Sequence, residues 1–230
     1  MAEVISYAPL LLNGLLMTLL VTVLGAVVAL LAAFAAGLAR LSQHRFLRWP
    51  ATAFVEVFRG TSLLVQMFWF FFALPFFGIQ LTPLAAGVLA LGLNQGAYAA
   101  EIVRGAIKSR AAGQAEACIA LGMGPALRMR RILIPQALPA MLPPFGNVLI
   151  DLLKNTSLVS LVTVSDLTFT AQLVRTTTGA TAAVFLTILV VYFVLSYALS
   201  LLVSWLERRF AVERPQRSLP KETLTVGAPR

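Results

Sequence analysis

The two longest stretches of this chain without a charged residue lie in its first half. The first runs from residue 4 to residue 39, and the second from residue 60 to residue 100. Since a helix needs about 20 apolar residues to cross a bilayer, the first stretch predicts one transmembrane helix and the second predicts two. Pro75, Gly78 and Pro83 lie inside the second stretch and indicate the turn between its two helices.

The remaining apolar stretches complete an all-α integral membrane protein. One contains Pro139, Pro143 and Pro144, which predict a kink, and the other ends at Trp205. Only 12% of the residues are charged and 59% are hydrophobic. Soluble domains carry about 25% charged residues, so a soluble enzyme is excluded. We expect five transmembrane helices, at about residues 10–39, 51–77, 83–106, 137–163 and 181–206.

The basic residues predict how these helices are oriented. With the N-terminus outside, 15 of the 18 Lys and Arg side chains flank the helices on the inner side, and Arg175 alone lies outside. Short cytoplasmic loops are enriched in Lys and Arg, so residues 1–9 are expected to be extracytoplasmic and residues 211–230 to form a cytoplasmic tail. This topological role accounts for the net charge of +9, and no nucleic-acid partner is expected.

The sequence lacks the residues that several kinds of chemistry require. Cys118 is the single cysteine and His44 the single histidine, so an internal disulfide, a zinc site and a histidine-based catalytic set are excluded. No G-x-x-x-x-G-K-[ST] loop occurs to hold ATP phosphates, and neither H-E-x-x-H nor G-x-S-x-G occurs. We therefore expect no catalytic residue, no metal site and no cofactor on this chain.

The connection over residues 107–136 is longer than a minimal loop and predicts a cytoplasmic docking element. Residues 114–121 are helix formers with several small side chains, and Gly122 is expected to end this helix with a positive φ. Pro125 is suited to open a second short helix, which Pro135 is expected to stop.

This connection resembles the EAA motif of permease subunits in bacterial ATP-binding-cassette (ABC) importers. In that motif Glu-Ala-Ala is followed after three residues by Gly and, after nine more, by Ile-x-Leu-Pro. Cys118 takes the place of the third position's Ala, and Ile134 takes the place of Leu. The resemblance implies that the segment is a coupling helix seated in the ATPase, with coupling residues Glu116, Ala117, Cys118, Gly122, Ile132 and Pro135.

The resemblance covers most of the chain and narrows to the polar amino-acid uptake branch. Residues 56–66, 94–109 and 153–158 are similar to its signatures, although Ser62 stands where Pro is usual and Pro139 where Arg is common. The resemblance implies a MetI-like permease domain over residues 10–210 in the bacterial inner membrane. It also implies a second permease copy or paralogue, an ABC ATPase dimer that holds ATP and magnesium, and an extracytoplasmic solute-binding protein. The solute stays open, with ectoines and opines among the possibilities.

Polar residues within the predicted spans are candidates for the translocation pathway or for the interface between permeases. They are Glu56, Arg59, Asn94, Tyr98, Lys154, Asn155, Thr156 and Ser157. Each has a structural alternative. Lys154 has Asp151 three residues earlier as a partner, and Glu56 and Arg59 have the same spacing. Asn94 and Tyr98 are suited to hydrogen bonds that hold helices together.

A self-sufficient ion-coupled carrier or channel is the alternative function. Such a protein would call for several acidic residues within the membrane or for an inverted repeat. Asp151 and Glu56 are the acidic candidates within the spans, and no internal repeat is visible. These features favour the importer permease.

Overall fold

The computed structural model describes residues 6–110 and 112–210, and the elements in these ranges are helices. Residues 1–5 and the predicted tail 211–230 lie outside the described residues. The first helix, α1, spans Ala8–Ala39. It packs most extensively on α4, Pro83–Lys108, so these two helices form the centre of the bundle.

Glycines allow α1 and α4 to approach closely. A Cβ atom added at Gly92 of α4 would lie 2.5 Å from the Cβ of Val28 and 3.1 Å from the carbonyl oxygen of Gly25. One added at Gly96 would lie 2.7 Å from the Cβ of Ala32. Small residues at helix contacts are the usual means of close packing in membranes.

The second predicted span is a broken helix. The helix α2 spans Arg45–Gly60, and α3 spans Leu63–Phe68 and continues through a π-helical turn at Trp69–Ala73 and a 3₁₀ turn at Leu74–Phe77. The two parts meet at an angle of 109°.

The helix α2 begins at Arg45, six residues before the start expected for the second span. Pro50 lies inside α2. Pro50 has no N–H to donate to the carbonyl oxygen four residues earlier, at Phe46. This part of the helix is open to its surroundings, since Phe46 is 94% exposed.

The turn before α4 follows the sequence prediction. Gly78 has φ +83°, which suits a residue without a Cβ. Thr82 caps α4, because its hydroxyl oxygen accepts a hydrogen bond from the Ala85 amide at 3.2 Å. Pro83 then occupies the first turn of the helix.

Two short helices follow α4 and lead into the next long one. The helix α5 spans Ala112–Ala120, and α6 spans Pro125–Arg128. A π-helical turn at Met129–Leu133 joins α6 to α7, Ile134–Asn155, which ends in a 3₁₀ helix at Thr156–Val162.

The expectation that Pro135 stops the second short helix is wrong. Pro135 lies in the first turn of α7, directly after the π-helical turn, and the chain remains helical through it. The wider turn changes the hydrogen-bond spacing just where the proline has no N–H to offer.

The last two helices are joined by a short glycine turn. The helix α8 spans Leu167–Thr178 and α9 spans Thr181–Phe210. Asp166 caps α8 by accepting hydrogen bonds from the amides of Phe169 and Thr168, at 2.9 and 3.2 Å. Gly179, with φ +68°, ends α8.

Three helical stretches of the described residues are long and apolar enough to cross a membrane. They are Ala8–Ala39, Pro125–Val162 and Thr181–Arg209, and the bent pair of α2 and α3 is a fourth candidate. Asn94 and Gln95 lower the hydropathy of α4, but both side chains are buried inside the bundle. The fold is thus all-helical with several candidate spans, and the total of five remains a prediction.

Candidate functional site

A polar cavity of about 660 Å³ lies where α4 and α7 face the break between α2 and α3. Its apolar lining comes from Leu63, Leu64, Val148 and Leu158. Its polar lining comes from Thr61, Ser62, Asn94, Gln95, Tyr98, Asp151 and Asn155. In a bundle of mostly apolar helices, this concentration of hydroxyl, amide and carboxylate groups marks a site that can hold a polar molecule.

The break beside this cavity is held by two buried amides. Asn94 donates to the Phe58 carbonyl oxygen at 2.9 Å and to Oε1 of Gln66 at 3.1 Å. Gln66 in turn donates to the Phe58 carbonyl at 2.9 Å and to Oγ1 of Thr61 at 2.7 Å. The bonds to Phe58 satisfy a backbone carbonyl that the end of α2 leaves free. Asn94 therefore has the interhelical role considered for it, while it also lines the cavity.

Gln66 was missed as a functional residue from the sequence. It is 9% exposed and connects the break to α4 through Asn94. The signal was present, because a single amide in the apolar run from Leu63 to Phe72 requires a partner in a membrane.

A cluster of charges lies where α1 and α4 approach their C-terminal ends. Glu101 is its centre and pairs with Arg40, with Arg104 at 2.6 Å and with Arg59 at 4.0 Å. Arg40 also lies 3.6 Å from Glu56. Burial, followed by the nearby charge of Arg104, lowers the pKa of Arg40 from its ordinary value, and the Glu56 carboxylate acts in the opposite direction.

The mutual neutralisation considered for Glu56 and Arg59 does not occur. Although these two residues are three apart on α2, each pairs with a different helix, Glu56 with Arg40 and Arg59 with Glu101. The guanidinium of Arg59 also lies 5.2 Å from the ring centre of Tyr98. Glu101, the hub, was not among the sequence candidates, and its helical neighbour Arg104 was the available signal.

The pair considered for Asp151 and Lys154 is likewise not formed, since no ion pair within 4.0 Å joins these two described residues. Asp151 faces the polar cavity. Lys154 faces a second cavity, of about 400 Å³, between α7 and α9, which is also lined by Tyr192 and Ser196. Two residues at this spacing can be neighbours on a helix, but here they face different cavities.

The polar residues after Lys154 do not act as one patch. Asn155 lines the polar cavity. The Thr156 hydroxyl is fully buried and donates to the Leu153 carbonyl at 2.6 Å, and the Ser157 hydroxyl donates to the Lys154 carbonyl at 3.0 Å. Thr156 and Ser157 thus satisfy the helix's own backbone, and Asn155 is the member that reaches the cavity.

The predicted docking segment is a helix that ends as expected at Gly122. This residue has φ +69°. The Met123 amide donates to the Cys118 carbonyl and the Gly122 amide to the Ile119 carbonyl, both at 2.9 Å. This is a Schellman motif, which favours glycine at the left-handed position. The positive φ predicted for Gly122 is confirmed.

The segment presents one face to its surroundings and attaches to the bundle by another. Glu116 and Ala117 are exposed, as are the large apolar side chains of Ile119 and Leu121, at 61% and 79%. Cys118, in contrast, is 5% exposed. The side chains of Glu116, Ile119 and Leu121 are therefore accessible on this segment.

Two hydrogen bonds hold the segment to the start of α7. Gln136 donates to the Gln114 side chain at 3.3 Å, and Arg110 donates to the Gln136 carbonyl at 3.1 Å. Ile132 is half-buried in the π-helical turn, and Pro135 is exposed at the start of α7. The six predicted coupling residues therefore lie in three places: α5 and its end, the π-helical turn and the first turn of α7.

Known proteins are similar to this chain in sequence and in architecture. Residues 25–212 match the family model described as "binding-protein-dependent transport system inner membrane component". A probable amino-acid ABC transporter permease of Sinorhizobium fredii is 46% identical over 180 residues, 76% of each chain. The L-cystine transport system permease of Bacillus subtilis is 36% identical over 205 residues, 89% of this chain and 88% of the relative.

Solved structures of ABC transporters also resemble this chain in fold. A chain from the crystal structure of an amino-acid ABC transporter with histidines superposes with a TM-score of 0.84 at 37% identity, over 90% of this chain and 97% of that one. A chain of the inward-facing MetNI methionine ABC transporter has a TM-score of 0.77 at 22% identity, over 89% and 98%, and shows the shared fold. The family model matches well over half of the chain, and the chain therefore belongs to the inner-membrane components of binding-protein-dependent transport systems.

Proposed function

We propose that this permease subunit moves a polar amino acid, or a related small solute, across the bacterial inner membrane. Its relatives named as amino-acid, L-cystine and glutamine permeases support this substrate class. A binding protein would deliver the solute from outside, and a second permease copy or paralogue would complete the pathway. A separate ATPase dimer would bind ATP and magnesium, since this sequence contains no phosphate-binding loop.

The observation that carries the proposal is the composition of the polar cavity. Asp151 supplies a carboxylate that can accept hydrogen bonds from an ammonium group, and Gln95 and Asn155 supply amide donors for a carboxylate. These groups match the two charged ends of a free amino acid. The volume of about 660 Å³ lies within the roughly 300–1,000 Å³ that is usual for small-molecule sites.

Asp151→Asn tests this role directly. The substitution keeps the shape of the side chain and removes its charge. A hydrogen bond to a charged group contributes about 1.5–3 kcal/mol, so we expect the apparent KM for uptake to rise by roughly 10- to 100-fold. The measurement is uptake of labelled amino acids into vesicles that contain the permease, its ATPase and its binding protein.

Glu207→Gln is the matched control, because it removes a carboxylate from α9 that does not line the cavity. We expect wild-type uptake from this variant. Equal uptake by wild type and Asp151→Asn for every transported amino acid would contradict a role of Asp151 in solute binding.

We further propose that α5 and the turn after it couple this subunit to the ATPase. The exposed Glu116 would accept a charge-assisted hydrogen bond from an Arg or Lys of the ATPase, and Ile119 and Leu121 would add apolar contact. Gly122 would keep the turn that presents these side chains. Cys118 would support the segment from within, and Ile132 and Pro135 would support it where the chain enters α7.

A further inference from the structure

We propose that α2 does not cross the membrane but lies along its surface, at the end of the bundle that carries the docking segment, where it binds anionic lipid headgroups. Three features of α2 support this placement: its level in the bundle, its three differently composed faces and the unpaired arginines of its first turns. The placement is independent of the solute and of the ATPase.

Ion pairs define the level of α2 in the bundle. Its C-terminal part is tied to Arg40, directly after the end of α1, and to Glu101, about two turns before the end of α4. Its first residue, Arg45, follows α1 after only five residues. Arg45 and Arg59 are about 21 Å apart along the helix axis, yet both lie near the same end of the bundle. The helix axis therefore runs along that end, and the bend of 109° starts the crossing at α3.

The three faces of α2 meet three different environments. One face packs on the bundle: Val55 is fully buried, and Ala51 and Phe54 pack with it against Ala36 and Ala100. A second face is apolar and exposed. Its members recur at the helical spacing of three or four residues and are Phe46, Trp49, Pro50, Ala53 and Val57.

The third face is a polar stripe at the same spacing. Its members are Arg45, Arg48, Thr52, Glu56 and Arg59. Glu56 and Arg59 pair with other helices, but Arg45 and Arg48 make no ion pair with any described residue. The exposed apolar face and the unpaired cations therefore coincide in the first turns of α2.

Lipid is the occupant that fits this combination. Trp49 is 79% exposed and Phe46 is 94% exposed, and aromatic side chains of this kind favour the boundary between headgroups and acyl chains. Arginines beside them attract anionic headgroups. Helices that lie in an interface show this arrangement of an apolar face and a cationic face.

The first experiment measures depth with tryptophan fluorescence. Trp69 and Trp205 are replaced by Phe so that Trp49 remains as the reporter, and Ala53→Trp and Val57→Trp are made with Trp49→Phe. All three reporters lie on the exposed apolar face. In vesicles that contain phosphatidylcholine brominated at defined depths, we expect one common, shallow depth. A transmembrane α2 would place residues 49 and 57 about 12 Å apart in depth, and such a gradient would overturn the proposal.

The second experiment tests the lipid charge. The vesicles contain both phosphatidylcholine and phosphatidylglycerol. One sample carries bromine on the phosphatidylcholine only, and a second sample carries it on the phosphatidylglycerol only. We expect brominated phosphatidylglycerol to quench Trp49 more strongly, and Arg45→Gln with Arg48→Gln to remove this preference. Arg208→Gln with Arg209→Gln, at the end of α9, is the control and should retain it.

Two outcomes would contradict lipid binding. Equal quenching of the wild type by both lipids would remove the anionic preference. Quenching by neither lipid would indicate that protein, such as a second permease copy, covers the exposed face.

Discussion

At the scale of single residues, two carboxylates of the described chain, Glu56 and Glu101, pair with arginines of other elements. Glu101 is 21% exposed and is surrounded by Arg40, Arg59 and Arg104. Glu56 belongs to the same cluster but is 67% exposed and lies 3.6 Å from Arg40. The difference in burial predicts that the two carboxylates contribute unequally to stability.

Glu101→Gln should destabilise the permease strongly, because it leaves three neighbouring guanidinium groups without their shared carboxylate. Removal of one partner from a buried pair lowers the free energy of unfolding by roughly 3–5 kcal/mol. Because Glu101 is partly exposed, we expect a loss of about 3 kcal/mol or less for Glu101→Gln. Glu56→Gln should cost about 1 kcal/mol or less. Thermal unfolding of the purified permease with its ATPase measures both, and equal Tm values for the two variants would contradict a central role of Glu101.

At this scale, the sequence predicted backbone geometry that depends on a single residue and its neighbours in the chain. The positive φ of Gly122 follows from the end of a short helix and is confirmed. A pair of Asp151 and Lys154 was one of the two alternatives that their spacing allowed, and it is not formed, since the two side chains line different cavities. Partners on distant helices, such as Arg40 for Glu101, depend on packing that spacing does not reveal.

At the scale of elements, turn residues predicted where α4 begins and where α5 ends. Pro83 and Gly78 lie where the turn before α4 was expected. The break at Thr61 and Ser62 was not predicted, because neither residue is a strong helix breaker. It is stabilised by the side chains of Asn94 and Gln66, and tertiary hydrogen bonds of this kind leave little local signal.

The contact between α1 and α4 gives a prediction at this scale. Gly92→Ala should be destabilising, because its Cβ would meet the Val28 side chain at 2.5 Å. Overpacking of this type costs typically 1–3 kcal/mol. Gly105→Ala, on the same helix, meets no atom within 4 Å and should be neutral or slightly stabilising.

The Tm of each purified variant measures this difference. Gly92→Ala should unfold at a lower temperature than Gly105→Ala. If both unfold at the wild-type temperature, the close approach of α1 and α4 does not depend on the glycine.

At the scale of the whole molecule, the distribution of basic residues predicts an outside N-terminus and a cytoplasmic C-terminus. Cysteines introduced at Glu3 and Thr225, with Cys118→Ala as background, test this orientation. In intact cells an impermeant thiol reagent should label position 3 and leave position 225 unlabelled until the cells are opened. Labelling of position 225 alone in intact cells would rule the orientation out.

ATP hydrolysis by a partner subunit would be coupled to transport through α5 and its turn. Glu116→Lys reverses the charge that would contact the ATPase. Gly122→Val forces a β-branched residue into a left-handed conformation, which costs about 1–2 kcal/mol or more. Gly124→Val is the matched control, because Gly124 lies in the same turn with φ −63° and has no atom within 4 Å of an added Cβ.

The most direct test measures uptake and ATP hydrolysis together, in vesicles that hold each permease variant with its ATPase and binding protein. We predict that Glu116→Lys and Gly122→Val insert normally but lose uptake. Their ATP hydrolysis should no longer respond to the loaded binding protein, whereas Gly124→Val should behave as wild type. Wild-type uptake and wild-type stimulation of hydrolysis in both Glu116→Lys and Gly122→Val would contradict the account.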